Sequence, residues 1–122
     1  METRVKFSFA LVTGASSGIG AEVCRKLASK GIPLLITGRD VDHLNALAAE
    51  LRPQVPVNII VADMGTDEGR QSLIKKIHEH TPDLIINNAG FGYIGPIEDF
   101  SLEEIKTQYD TNIFGIIFIR LL

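Results

Sequence analysis

The amino-acid sequence predicts an α/β fold in which a parallel sheet carries helices on both of its faces. Four short runs are nearly continuous in aliphatic residues, which is typical of parallel strands buried on both sides. The segments between them repeat apolar residues at helical spacing, and strands and helices alternate strictly along the chain. Because connections between parallel strands are right-handed, the economical arrangement of the four strands is the spatial order 3-2-1-4.

The predicted strands are bounded by glycine or by a polar residue. The first run is closed by Gly14, the second lies between Gly31 and Gly38, and the third ends at Asp63. We expect all four strands to be buried. Their bounds are 7–13, 32–37, 57–62 and 83–88.

The predicted helices begin at residues suited to helix N-termini and stop before glycine or proline. The first covers residues 18–30 and has Ile19, Val23 and Leu27 on one face, which we expect to be apolar and inward. Gly31 stands where a left-handed C-terminal cap is expected. The expected starts of the other three helices are Asp40, Thr66 and Ser101.

Composition predicts that the whole chain, 1–122, is a single domain. Of its residues 45% are hydrophobic and 22% are charged, which is enough for a core and excludes a disordered chain. The net charge is −3 without a basic stripe, so we expect no nucleic-acid partner. The most apolar stretch, 113–122, contains Arg120 and is shorter than the roughly 20 residues that span a bilayer, so we expect no membrane insertion.

Cysteine and histidine content argues against disulfides and metals. The single cysteine, Cys24, cannot form an internal disulfide, which favours a reducing, cytoplasmic compartment. We expect it to be a small buried residue of the first helix. His43, His78 and His80 lack the spacing of metal ligands, so no metal site is predicted.

A glycine-rich segment, Thr13-Gly14-Ala15-Ser16-Ser17-Gly18-Ile19-Gly20, joins the first strand to the first helix. Gly14 can make the sharp turn off the strand, Gly18 can let backbone N–H groups approach a phosphate, and Gly20 can let the helix pack close to the sheet. The unpaired N–H groups and positive dipole end of the helix predict an anion site here. A purely structural strand-to-helix turn is the alternative, since such a turn uses glycine too.

A second polar segment is expected to meet this loop. Strands 1 and 4 are predicted neighbours whose following helices leave on opposite faces, so a crevice opens at their carboxyl ends, where open α/β sheets bind ligands. The segments that begin at Gly14 and at Asn87 both lie there. The adjacent amides of Asn87 and Asn88 are unusual in an apolar strand, although they can also satisfy backbone groups.

The pattern Thr13-Gly14-x-x-x-Gly18-x-Gly20 resembles the cofactor motif of the short-chain dehydrogenase/reductases, a family with a Rossmann-type fold. The run Asn87-Asn88-Ala89-Gly90 is similar to the second signature of that family, Asp63 to its adenine-contacting Asp, and Asn112 to its active-site Asn. The resemblance covers essentially all of the chain but only the first part of a family member. We therefore expect a sequence truncated before the fifth strand.

The resemblance implies hydride transfer between a nicotinamide cofactor and a small carbonyl or alcohol substrate. It places three groups of residues near the cofactor, each with a structural alternative; Asp63, for example, could simply cap the turn after strand 3. The phosphates would be lined by Gly14, Ser16, Ser17, Gly18, Ile19 and Gly20, the adenine by Asp63 and Met64, and the nicotinamide ribose by Asn88, Ala89 and Gly90.

The end of the second strand favours NADP(H) over NAD(H). Rossmann-type NAD enzymes place Asp or Glu there to bind the ribose 2′-hydroxyl, whereas Arg suits the 2′-phosphate of NADP. Gly38 occupies the acidic position and Arg39 follows it. In the alternative, Arg39 is an ordinary solvated residue and Asp40 binds the ribose, but we interpret Asp40 as the N-cap of the second helix.

The acid/base group that the resemblance implies is a Tyr with a Lys four residues later, aided by a Ser. Here Tyr93 is followed four residues on by Ile97, and Tyr109 by Ile113, so the expected catalytic Asn112 lacks its partners. We expect the cofactor-binding part of an NADP(H)-dependent oxidoreductase or, alternatively, a noncatalytic nucleotide-binding or interaction module. The open edge of strand 4 and the apolar last helix predict self-association or partner docking.

Overall fold

The computed structural model describes residues 7–16, 18–89, 101–103 and 106. The sheet order is β3-β2-β1-β4, and every neighbouring pair is parallel. Both the α/β class and the predicted strand order are confirmed. The elements are β1 (Ala10–Thr13), α1 (Gly18–Ser29), β2 (Leu34–Gly38), α2 (Val41–Leu51), β3 (Val57–Val61), α3 (Asp67–His80) and β4 (Leu84–Ile86).

All four strands are shorter than the sequence predicts. The difference is largest for β1 and β4, where side chains take over backbone hydrogen bonds at the strand ends. β1 begins at Ala10, since the N–H groups of Ser8 and Phe9 donate to the carboxylate of Asp83 instead of to a strand. β4 ends at Ile86, since the N–H of Asn88 donates to the hydroxyl of Thr13 at 2.9 Å.

The sheet has a helix layer on each face, as predicted. Alternate residues of β1 and β2 point to opposite faces, because the side-chain period of a strand is two. α1 and α2 cover one face and α3 the other. The first layer buries Val12 and Ile36 with Cys24 and Leu44, and the second buries Leu11 and Leu35 with Leu73 and Ile77.

The expectation that all four strands are buried is wrong for β3. β1 and β2 are buried along their whole length, whereas Asn58 and Val61 of β3 are exposed. The reason is topological: β3 lies at the edge of the sheet, where helices cover it incompletely. β4, at the other end of the order, is half-buried.

The inward face of α1 also differs from the prediction. Ile19 is 76% exposed, and the residues that face the sheet are Gly20, Ala21, Cys24 and Ala28. Small side chains allow the helix to approach the strands closely. Of the predicted stripe only Ile19 is turned away, since Val23 and Leu27 are partly buried against the same core. Burial of Cys24 is confirmed.

The predicted helix termini are largely confirmed. Asp40 caps α2 by accepting from the N–H of His43 at 3.1 Å, and Thr66 caps α3 by accepting from the N–H of Gly69 at 3.0 Å. Gly31 follows α1 with φ +77°. The expected fourth helix lies for the most part outside the described residues. Among the helices that are described, none combines the length and hydropathy that a membrane crossing requires.

Candidate cofactor site

The carboxyl ends of the four strands form one continuous rim. The N–H of Ala15 donates to the carbonyl of Thr37 at 3.0 Å, and the N–H of Ala62 donates to the carbonyl of Gly38 at 3.0 Å. The glycine loop after β1, the end of β2 and the loop after β3 are therefore linked side by side. A ligand bound on this rim could contact all three segments.

Two glycines of the loop are required by close packing. A Cβ atom on Gly14, whose φ is +65°, would lie 2.9 Å from the Cα of Ala89. A Cβ atom on Gly20 would lie 2.1 Å from the carbonyl oxygen of Gly14. Neither position can hold a side chain without moving backbone, so these glycines bring the loop, α1 and the end of β4 together.

Gly18 is different, because its missing side chain faces open space. It begins α1 with φ +59°, and no described heavy atom lies within 4 Å of the Cβ position. The first N–H groups of a helix have no intrahelical partners and favour an anion. The backbone at Gly18 is thus accessible where the sequence predicts a phosphate, and the neighbouring Ile19 is exposed on the same turn.

The hydroxyl of Thr13 joins the two motif segments. It is buried, accepts from the N–H groups of Asn88 and Ala89 at 2.9 Å each, and lies 3.4 Å from the carbonyl oxygen of Ile86. The Asn88 side chain donates to the carbonyl of Gly14 at 3.1 Å. The predicted meeting of the two segments is confirmed. The sequence motif does not single out the Thr13 side chain, although a polar residue at the end of an apolar strand indicates such a role.

A cleft of about 630 Å³ lies beside the glycine loop at the start of α2. A Cβ atom on Gly38 would lie 2.9 Å from the hydroxyl oxygen of Ser16, so a side chain at position 38 would require the Ser16 hydroxyl to move. Arg39 follows and is exposed. The cleft therefore combines a guanidinium with a strand end that carries no carboxylate. Its lining residues are Ser16, Arg39, Asp40, Val41, Asp42 and His43.

Asp40 is engaged with its own helix. One carboxylate oxygen accepts from the N–H of His43 and the other contacts Nδ1 of the same residue. These hydrogen bonds, the backbone one first, lower the pKa of Asp40 below its ordinary value. The interpretation of Asp40 as N-cap is confirmed, and its carboxylate is already bonded where the alternative needs it for a ribose.

The loop after β3 holds Asp63 and Met64. Oδ1 of Asp63 accepts from the N–H of Gly65 at 2.8 Å, so this carboxylate does cap the turn. The Met64 side chain is 4% exposed and belongs to the core beneath α3, so any ligand contact of this residue falls to its backbone. Both residues stay candidates for the adenine end.

Three predicted site residues, Ser17, Gly90 and Asn112, lie outside the described residues, as do Tyr93 and Tyr109. Cys24 carries no reactive thiol, because burial raises its pKa to about 12. In the described part of the chain no three His, Cys, Asp or Glu side chains cluster as metal ligands do.

The strand order and the loop together define a Rossmann-like α/β fold, in which β1 and β4 form the switch point of the sheet. The chain belongs to the short chain dehydrogenase family, whose sequence model matches residues 8–120. The resemblance inferred from the motifs is confirmed.

Three similar proteins illustrate the family. An uncharacterized oxidoreductase from Staphylococcus epidermidis is 33% identical over 114 residues, which are 92% of this chain and 49% of that protein. The bulky-bulky ketone specific alcohol dehydrogenase from Comamonas testosteroni is 30% identical, with a TM-score of 0.89 over 93% of this chain and 47% of its own. A short-chain dehydrogenase from Sphingobium yanoikuyae, solved in complex with NADPH, is 31% identical, with a TM-score of 0.88 over 93% and 46%. The chain thus spans about half the length of the proteins it matches.

Proposed function

We propose that this chain is the cofactor-binding part of an NADP(H)-dependent oxidoreductase acting on a small carbonyl or alcohol. The observation that carries the proposal is that the glycines of the loop differ in their surroundings. Gly14 and Gly20 are closed by packing, whereas Gly18 leaves the N-terminus of α1 accessible. When bound, the nicotinamide supplies or accepts the hydride.

The proposed binding mode follows the rim. The backbone of the loop from Gly14 to Gly20 holds the pyrophosphate at the N-terminus of α1, with Ser16, Ser17 and Ile19 beside it. The loop after β3 flanks the adenine through Asp63 and Met64. Asn88, Ala89 and Gly90 approach the nicotinamide ribose, because Thr13 fixes the end of β4 against the glycine loop.

The preference for NADP(H) rests on Gly38 and Arg39. An NAD-selective carboxylate is missing at position 38, which is a glycine beside the hydroxyl of Ser16. The exposed guanidinium of Arg39 in the adjacent cleft has the charge and hydrogen-bond donors that a 2′-phosphate needs. The relative from Sphingobium yanoikuyae, which was solved with NADPH, supports this choice.

The proposal is tested by titrating NADPH and NADH against the wild-type chain, Arg39→Ala and Lys30→Ala. Loss of a charged hydrogen bond should weaken NADPH binding to Arg39→Ala about tenfold or more and leave NADH binding unchanged. Lys30→Ala is the control: it removes the same charge from an exposed residue beyond the far end of α1. Tighter binding of NADH than of NADPH by the wild type would contradict the cofactor choice. Failure of the folded chain to bind either would contradict the proposal as a whole.

The alternative function, a noncatalytic nucleotide-binding or interaction module, is favoured by one observation. The sequence contains no Tyr-x-x-x-Lys, so the acid/base pair of the proposed reaction must come from residues outside these 122, and Asn112 alone cannot replace it. Binding of NADPH with no turnover of ketone or aldehyde substrates by the 122-residue chain would support this module. Measurable turnover would reject it.

Self-association and cellular location are two further predictions from the sequence. The outer edge of β4 invites self-association or partner docking, which sedimentation velocity would detect as a concentration-dependent increase in mass. A reducing, cytoplasmic location rests on the single cysteine, Cys24.

A further inference from the structure

A buried arginine, Arg70, lies in the first turn of α3, directly after the loop that follows β3. The residue is 6% exposed, which is unusual for arginine because a buried charge is costly unless it is paired. Nη1 donates to the carbonyl oxygen of Met64 at 2.8 Å, and Nη2 forms an ion pair with Asp67. The guanidinium therefore ties the loop to the helix.

The same loop is fixed at Asp63 by its neighbours on α3. A Cβ atom on Gly69 would lie 2.0 Å from the carbonyl oxygen of Asp63, so the helix backbone is in close contact with the loop. The hydroxyl of Thr66 donates to that carbonyl at 3.0 Å and accepts from the N–H of Gly69. Arg70 extends this contact by one residue, to Met64.

The loop lies where a small displacement matters. The N–H of Ala62, directly before Asp63, donates to the carbonyl of Gly38 at 3.0 Å. The loop is thus continuous with the strand end that leads into Arg39. A shift of the Met64 backbone would change the shape of the rim beside the cleft.

We propose that Arg70 is a positioning residue for the adenine end of the dinucleotide. Through the Met64 carbonyl it holds the loop of residues 63–66 in the conformation that binds. This inference rests on the function proposed above, in which Asp63 and Met64 flank the adenine. Without Arg70 the binding conformation is only partly populated, and the apparent affinity falls by that fraction.

The test compares Arg70→Met with Arg52→Met. Arg52 is a matched control, since its guanidinium also donates to a backbone carbonyl, that of Val57 at 3.1 Å, at the opposite end of β3. Methionine keeps an apolar chain of similar length in the interior. The carboxylate of Asp67, which loses its partner, is exposed to solvent, so the substitution leaves no unpaired buried charge. Arg70→Lys, which keeps one charged donor, tests rescue.

Two measurements distinguish the structural effect of Arg70 on the loop of residues 63–66 from its effect on cofactor binding. Amide hydrogen exchange at Gly65 and Thr66 should accelerate in Arg70→Met and stay unchanged in Arg52→Met. Binding of NADPH and of adenosine 2′,5′-bisphosphate should weaken about tenfold in Arg70→Met, with part of the loss restored in Arg70→Lys and none seen in Arg52→Met.

Each outcome decides one claim. Equal nucleotide affinity in Arg70→Met and Arg52→Met would overturn the positioning role, as would unchanged exchange at Gly65 and Thr66. If the wild type binds no dinucleotide, the proposed function fails, and the role of Arg70 in positioning the adenine fails with it. Faster amide hydrogen exchange at Gly65 and Thr66 in Arg70→Met would then show only that Arg70 holds the loop. Loss of affinity in both variants alike would point to general destabilisation and would also overturn the proposal.

Discussion

The two loops at the carboxyl rim both pack closely against a glycine, but only one of them is also held by a buried charged side chain. The β1–α1 loop is shaped by missing side chains: Gly14 and Gly20 pack backbone against backbone at distances that admit no Cβ atom. The β3–α3 loop is shaped by a side chain that is present, the buried guanidinium of Arg70, with Gly69 beside it. The first arrangement depends on close backbone contacts, including that of Gly14 with Ala89 at the end of β4, whereas the second depends on a charged group that the fold must bury and pair.

The largest effect is expected when the backbone packing of the glycine loop is broken. In Gly20→Ala the new Cβ atom would lie 2.1 Å from the carbonyl oxygen of Gly14 and 2.6 Å from the side-chain nitrogen, Nδ2, of Asn88. We expect a loss of about 3 kcal/mol or more in the free energy of unfolding, measured by urea denaturation, together with loss of dinucleotide binding. Gly31→Ala is the control, since it strains a positive φ in open space and should cost only about 1 kcal/mol. Equal effects of the two substitutions would refute the packing argument.

The next effect concerns the hydroxyl that joins the loop to β4. Thr13→Val keeps the shape of the side chain but leaves the N–H groups of Asn88 and Ala89 without their acceptor. Leaving buried donors unpaired should lower the free energy of unfolding by about 2 kcal/mol, while Thr13→Ser should be close to the wild type. A valine variant as stable as the serine variant would show that these hydrogen bonds are not needed.

A carboxylate at the amino ends of β1 and β4, opposite the end where Thr13 lies, gives a pH-dependent counterpart to Thr13. Asp83 joins β1 to β4 by accepting from the N–H groups of Ser8 and Phe9, and these hydrogen bonds lower its pKa in the folded chain. A depressed folded-state pKa contributes stability above the ordinary carboxyl pKa, and this contribution is lost as pH falls through the folded-state value. Asp83→Asn should therefore be less stable than the wild type at neutral pH, with the gap closing in acid. A gap that is independent of pH in denaturation curves would contradict this account, whereas the effect of Thr13→Val should not vary with pH.

The smallest expected effect is a gain in stability at the end of α3. Thr81 caps this helix with φ 45°, a left-handed conformation that a β-branched residue adopts with strain, whereas α1 is followed by Gly31. Thr81→Gly should raise the thermal midpoint by a few degrees, corresponding to about 1 kcal/mol at most. A lower midpoint would show that the threonine side chain outweighs the strain.

The sequence predicts what is local or periodic. The strand order can be predicted because strands and helices alternate strictly along the chain. Gly14, Gly18 and Gly20 can be predicted because a sharp turn, an accessible backbone and a close approach of helix to sheet each require glycine at a fixed place. The cap at Asp40 is equally local, since its partner is His43 on the next turn.

What the sequence does not predict depends on contacts made by the fold. A rule of apolar spacing selects Ile19 as inward, yet the tight approach of α1 gives that place to Ala21 and Cys24. From the sequence alone Arg70 would be expected on the surface, because no neighbouring residue indicates that its guanidinium donates to the carbonyl of Met64. Thr13 owes its role to an amide 75 residues away in the chain.

We propose above that the rim from Gly18 to Arg39 binds NADP(H). The most direct test is a titration of the isotope-labelled chain with NADPH, followed by the amide resonances. We expect the amide resonances of Gly18, Gly20 and Arg39 to shift and those of Gly31 and Asp83 to stay unchanged. Shifts confined to residues away from the rim, or none at saturating NADPH, would contradict this proposal.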